Sequence, residues 1–233
     1  MQFPAPLVEA RLIKRYKRFL ADMAIGNEAV TVHCPNPGSM MGLAEPGARC
    51  WLSAKTGTKL PYAWELVESA ASGVTALVGI HTGRANALVA EGLAKGAFPG
   101  LPTATIVPEV KVGASRLDFR LADESGRPCW VEVKSVTLSR RASLAEFPDA
   151  RTERGARHLG ELAALSAAGE RAVLLFLVQR SDCREMSLAA DIDPAYAAAL
   201  AQARAGGVEI RAFSCRVSPS GIDAGAEIAF IQA

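Results

Sequence analysis

The chain has no G-x-G-x-x-G loop, no G-x-x-x-x-G-K-[ST] loop and no H-E-x-x-H pair. Nucleotide cofactors and zinc-protease chemistry therefore have little support in it. Its five cysteines, Cys34, Cys50, Cys129, Cys183 and Cys215, are widely spaced and include no C-x-x-C pair. An odd, scattered set suits reduced, buried thiols better than a disulfide framework or a structural zinc site. Long apolar runs are also missing. The most apolar stretch, Ala172–Val178, is far too short to span a bilayer, and the first residues lack the basic start and apolar run of a signal peptide. The expectation is a soluble, cytoplasmic protein with no membrane partner. Charge of one sign is not in excess: the formal net charge is +2, so any nucleic-acid footprint has to be local. Ser143, Ser166 and Cys183 have no persuasive nucleophile context, and no repeat or heptad is visible. What the chain does have is length and apolarity: 233 residues, half of them hydrophobic, are enough for one large domain or two modest ones.

The most informative stretch is Ser115–Val136. Ser115–Ala122 reads as a strand, residues 123–128 are rich in turn formers, and Cys129–Val136 alternates back into a strand. Side chains two apart on a strand share a face, so Glu132 and Lys134 look the same way, beside Trp130 and opposite Val131 and Val133. If the register brings Asp118 near Glu132, two carboxylates and an ammonium converge. Such a set can hold a hard divalent cation through oxygen and present positive charge to a substrate oxyanion or an attacking water. The bland alternative is an ordinary surface salt bridge between Glu132 and Lys134.

This D-x(n)-E-x-K hairpin resembles the PD-(D/E)XK nuclease superfamily. Four longer strings, HCPNPGSM, SRLDF, WVEVKSVTL and FPDARTERGARHLGEL, resemble the sugar fermentation stimulation protein family, in the expected order and over nearly the whole chain. The resemblance implies DNA binding, an OB-like N-terminal barrel over residues 1–82, a connecting helix and linker over 83–108, and a nuclease-like α/β domain with a mixed sheet over 109–233. It further implies Mg²⁺ or Mn²⁺ at Asp118 and Glu132, with Glu109 as an additional acidic ligand and Lys134 as the catalytic ammonium. A homodimer is allowed, because many nuclease-like domains cut as dimers. The rival expectation is a non-catalytic DNA-binding regulator of sugar metabolism genes.

In the N-terminal part, Leu7–Tyr16, Ala29–Cys34, Arg49–Ser53, Pro61–Glu68 and Val74–Ile80 read as short strands separated by Gly- or Pro-containing turns, the pattern of a small barrel. Arg11, Lys14, Arg15, Lys17 and Arg18 cluster around Tyr16 and run into Phe19. They either grip phosphates while a ring stacks on a base, or form a solvated strand face. The Pro35–Ser39 loop is too constrained for regular structure, and His33, Asn36 and Ser39 there either bind phosphate or clamp an adjoining segment. Trp51, Tyr62 and Trp64 belong to the barrel core or to its binding surface. A helix is expected from residue 82 or 83 to Leu93, with Arg84 and Asn86 in its first turn, anchoring the two domains or touching backbone phosphate.

In the C-terminal part, Arg140 lies beyond the hairpin, and Pro148 imposes an irregular approach to a helix that Thr152 can cap. Arg151, Arg154, Arg157 and His158 crowd its start, and positions 154 and 158 share a face that either holds a phosphodiester or pairs with surface acids. Ala172–Val178 is expected as a central strand covered on both faces, Pro194–Arg204 as a helix, Val208–Cys215 as a strand and Glu227–Ile231 as an edge strand.

Overall fold

The computed structural model describes residues 1–113 and 115–231. The first six strands are β1 (Val8–Tyr16), β2 (Leu20–Ile25), β3 (Glu28–His33), β4 (Arg49–Ala54), β5 (Tyr62–Ser69) and β6 (Ala76–Gly79), paired in the order β3-β2-β1-β4-β5-β6. A bridge between His33 of β3 and Ala63 of β5 closes the first five into an OB-like barrel. Leu12, Met23, Val32, Leu52 and Val67 fill it, with Trp64 fully buried among them and its indole N–H donating to the Leu66 carbonyl at 2.8 Å. Trp64 is therefore a core residue. β2 was not expected from the sequence, because in LADMAI only alternate small or apolar side chains point inward and no branched residue announces a strand before Ile25.

A 3₁₀ turn (Thr82–Arg84) leads into α1 (Ala85–Ala94), which leaves the barrel and lies against the second sheet. The remaining elements are β7 (Thr105–Val112), β8 (Ser115–Ala122), β9 (Pro128–Val136), β10 (Leu138–Arg141), β11 (Leu144–Phe147), α2 (Glu153–Ala167), β12 (Arg171–Val178), β13 (Glu185–Leu188), α3 (Pro194–Ala205), β14 (Glu209–Ser218) and β15 (Gly221–Phe230). They build a mixed sheet in the order β10-β11-β13-β15-β14-β12-β9-β8-β7. One face packs on α1 through Leu88, Val89, Phe119, Val131 and Leu175; the other packs on α2 and α3 through Leu159, Leu162, Leu174, Phe176 and Leu200. β12 is sandwiched between these layers and pairs in parallel with both β9 and β14, which is why its run of residues is apolar on both faces.

One expectation fails here. Glu227–Ile231 was expected at an edge, but β15 runs from Gly221 and lies between β13 and β14. The sheet continues past it because Leu144–Phe147 pairs in parallel with Glu185–Leu188, two short strands whose length hides them in the sequence. The segment from Leu138 to Phe147 is a hairpin, β10–β11, and residues 148–152 beyond it form the irregular approach to α2 that Pro148 led one to expect.

The two sheets are joined by main-chain and side-chain bonds. Gly79 N donates to Gln179 O at 2.9 Å, Val78 bridges to Arg180, and Ser72 Oγ donates to Asp182 at 2.9 Å. The fully buried Arg180 is neutralised by Asp182 at 2.8 Å. Among the described residues no helix is long and apolar enough to cross a membrane.

Candidate active site

The site forms where β8 peels away from β9. Their antiparallel ladder runs from Ala122↔Pro128 to Phe119↔Val131 and ends there. At the next step the Asp118 carboxylate replaces the missing backbone acceptor, taking the Val133 N–H at 2.8 Å. Asn86, in the first turn of α1, donates to the other Asp118 oxygen at 2.7 Å. β9 presents Glu132 and Lys134 to the same cleft, while Val131 and Val133 face the core as the alternation required.

Glu132 is almost wholly buried. Its Oε1 accepts from Lys134 Nζ at 2.6 Å and contacts His158 Nδ1, whose ring projects from α2. Arg154 Nε lies 3.4 Å from the other ring nitrogen, an arrangement that puts the imidazole proton on the Glu132 side. Burial pushes Glu132 up, but hydrogen bonds and charge from His158 and Lys134 outweigh it and hold the carboxyl below its ordinary value. Asp118 goes the other way: burial, reinforced by repulsion from Glu132, pushes it up to about 6. Two acids of one cleft thus have their proton affinities driven apart. The remaining Glu132 oxygen, Oε2, is buried and has no hydrogen-bond partner among the described residues. A buried carboxylate oxygen left bare is costly unless something positive comes to it, so this donor set fits a hard cation.

Glu109 stands on β7 between the pairs Pro108↔Phe119 and Val110↔Leu117, hence across from Asp118. Its φ of 55° is left-handed, a strained conformation for a non-glycine residue. Its side chain is 55% exposed, 3.4 Å from Asn86 Nδ2 and 3.9 Å from Arg116, so it sits on the rim rather than within the buried pair. Among the described residues there is no grouping of three or more His, Cys, Asp or Glu side chains that could hold a metal ion.

The cleft has a volume of about 510 Å³ and draws its walls from both halves of the chain: Arg18, Asn36 and Gly38 from the barrel, and Asp149, Arg151 and Arg154 opposite. The Pro35–Ser39 loop is a clamp. Ser39 Oγ donates to the Asp149 carbonyl at 2.5 Å, Met40 N to the Asp149 carboxylate at 3.0 Å, and Asn36 Nδ2 to Ile80 O at 3.1 Å. Gly38 passes so close that a Cβ there would lie 2.4 Å from Asp149 Oδ2.

Other sequence-selected residues are occupied within the protein. Arg15 donates to the carbonyls of Arg18, Asn36 and Gly38 and braces the clamp. Arg11 donates to Gly47 O, Lys14 lies 3.5 Å from Asp22, and the Tyr16 hydroxyl donates to the same carboxylate at 3.0 Å. His33 stacks under Phe19. Arg84 pairs with buried Glu65 at 2.6 Å, tying α1 to the barrel, and Arg140 is shared by Glu146 and Asp191. Lys17, Arg18, Arg151 and Arg154 have no carboxylate partner within salt-bridge distance among the described residues, and three of these four line the cleft. Sequence reasoning did not single out Asp149 or Arg116. Asp149 is inconspicuous because its partner loop is 109 residues away, and the only signal for Arg116 was its place two residues before Asp118.

An OB barrel whose clamp completes a cleft beside the split between β8 and β9 of a mixed α/β sheet, with an Asp and a Glu-x-Lys facing it, is an architecture of the nuclease-like fold class. Comparison with known proteins agrees. Residues 13–80 match the family model "SfsA N-terminal OB domain" and residues 83–221 match "Sugar fermentation stimulation protein RE domain". The chain belongs to the sugar fermentation stimulation protein (SfsA) family. It is 50% identical over 229 residues to a sugar fermentation stimulation protein homolog of Azorhizobium caulinodans, covering 96% of each chain. It is 48% identical over 238 residues to the homolog of Methylobacterium nodulans, covering 100% of each. SfsA of Pyrococcus furiosus, solved in complex with Ca²⁺, superposes with a TM-score of 0.89 at 27% identity, covering 99% of this chain and 98% of that one.

Proposed function

We propose that this protein binds DNA and hydrolyses its phosphodiester bonds with the help of a divalent cation. The observation that carries this reading is the cleft-facing pair Asp118 and Glu132, with Lys134 at 2.6 Å from Glu132 and one buried Glu132 oxygen bare. Asp118 and Glu132, with Glu109 on the rim, are the residues that would hold Mg²⁺ or Mn²⁺; the Ca²⁺ complex of the Pyrococcus furiosus relative supports a hard cation in this family. Such an ion, when bound, supplies Lewis-acid polarisation of a phosphoryl oxygen and a more acidic water. Lys134, whose side chain is 13% exposed, neutralises charge that develops on the phosphate at the cleft surface. His158 holds the Glu132 carboxylate in place and keeps it ionised. Arg151 and Arg154 reach the phosphate, and Arg18 extends the cationic wall onto the barrel.

A non-catalytic DNA-binding regulator is the second reading. It is favoured by the relatives' common name. One experiment separates the two: incubation of single- and double-stranded DNA with the purified protein in Mg²⁺ or Mn²⁺, in chelator, and as Asp118→Ala and Lys134→Ala. The proposal expects cutting that needs the cation and is lost in both variants. DNA binding with no cutting under any cation selects the regulator, and cutting that survives both substitutions marks a contaminant.

A further inference from the structure

Most arginines of this chain that lie near a carboxylate are paired with it. Arg49, Arg84, Arg127, Arg140, Arg171, Arg180 and Arg211 each contact a Glu or Asp at 2.6 to 2.8 Å. Around the entrance of α2 the pattern changes. Arg154 and Arg157 are exposed in its first turns and have no salt-bridge partner among the described residues. Among the described residues Arg116, from β8, has only Glu109 within salt-bridge distance, at 3.9 Å, and it is 63% exposed. Basic side chains at a helix N-terminus oppose the macrodipole, which favours acids there, so helix stability does not account for this cluster. The three arginines surround a second cavity of about 690 Å³. It shares Arg154 and His158 with the cleft that holds Asp118 and Glu132, so the two cavities adjoin across these side chains. Arg18 of the barrel lines that cleft but not the second cavity. Glu161 lines the second cavity as well and lies beside Gly113.

Resting on the nucleic-acid reading above, we propose that Arg116 and Arg157 hold phosphates of nucleotides adjoining the one at the carboxylates. The substrate is then a polynucleotide threaded through the groove and engaged away from its ends, rather than a mononucleotide or a chain terminus. A strand held by Arg18 in one cavity and by Arg116 and Arg157 in the adjoining one extends beyond the nucleotide at the carboxylates and has no need of an end.

The test uses full-length protein in Ca²⁺ buffer, with binding of a labelled 12-mer oligodeoxythymidylate followed by fluorescence anisotropy at several salt concentrations. Each phosphate contact to a single strand contributes about 0.7 to the slope of log affinity against log salt. Arg116→Gln/Arg157→Gln is expected to reduce that slope by about 1.4, and Arg116→Lys/Arg157→Lys to restore it, since lysine keeps the charge. Unlabelled circular single-stranded DNA is expected to compete as well, per nucleotide, as linear DNA of the same sequence. An unchanged slope in the glutamine variant, or failure of the circle to compete, overturns the inference while leaving the binding reading intact. Absence of binding by the wild-type protein overturns both. Binding as expected, with no cutting in the metal assay, removes the phosphodiesterase reading and leaves the groove assignment standing.

Discussion

Replacing one carboxylate in the cleft tests whether the site stores electrostatic strain. Asp118 is pushed up to about 6 by burial and by repulsion from Glu132, against an ordinary value of 3.8. Between those values the native protein holds a proton that the unfolded chain has already lost. Stability therefore falls as pH rises through the window from about 4 to about 6, and the full deficit persists above it. A shift of about two units at ~1.4 kcal/mol each puts the deficit near 3 kcal/mol. Asp118→Asn removes the charge but keeps an oxygen for the Val133 N–H, and Asn86 can turn its amide oxygen toward the new NH₂. Allowing for some loss in those bonds, the variant should be about 2 kcal/mol more stable than wild type at pH 8, a rise of roughly 4–8 °C in melting temperature for a chain of this size. At pH 4 to 4.5 the advantage should nearly vanish. The assay is thermal or urea unfolding of both proteins in chelator at the two pH values. A variant that is no more stable at pH 8, or whose advantage is equal at both, would refute the reasoning. Addition of a divalent cation should then raise the melting temperature of the wild type more than that of the variant, because binding to the native state adds stability.

Other expectations concern the frame around the site. Gly38→Ala places a Cβ against the Asp149 carboxylate and should cost about 1–3 kcal/mol in urea unfolding. Asp149→Ala in the same chain should recover part of that cost, giving a clear interaction energy in a double-mutant cycle. Glu65→Ala strands the Arg84 guanidinium at the joint between barrel and helix, and a loss of about 2–3 kcal/mol is expected by the same measurement. Thr152 caps α2 by accepting the Gly155 N–H at 3.1 Å, so Thr152→Ala should lose about 1 kcal/mol in thermal unfolding.

The expectation for Glu132 and Lys134 followed from the two-residue period of a strand and needed no partner to be known. Helix α2 was legible through its cap at Thr152 and the stripe of Leu159 and Leu162, and β12 through an apolar run too short for a helix. Short strands were not legible: β10, β11 and β13 have four residues each, and nothing local distinguishes LSRR or EMSL from loop. The Pro35–Ser39 loop left binding and clamping equally open, because the choice depends on Asp149, which belongs to the other domain. His158 was grouped with the arginines of its own helix turn, although its ring turns toward Glu132 on a neighbouring strand.

The order of residues along the chain determined which side chains share a face, where helices start, and which strand is buried on both sides. These are local properties, set by backbone periods of 2.0 and 3.6 and by the chemistry of caps and turns. Tertiary structure alone decided that β8 leaves β9 at Asp118 and, among the described residues, that Glu132 has one oxygen held and one bare and that Arg84 and Arg140 are neutralised while Arg154 and Arg157 are not. Burial and charge compensation are sums over neighbours brought together from distant parts of the chain, so they exist only once the two sheets have closed around the cleft.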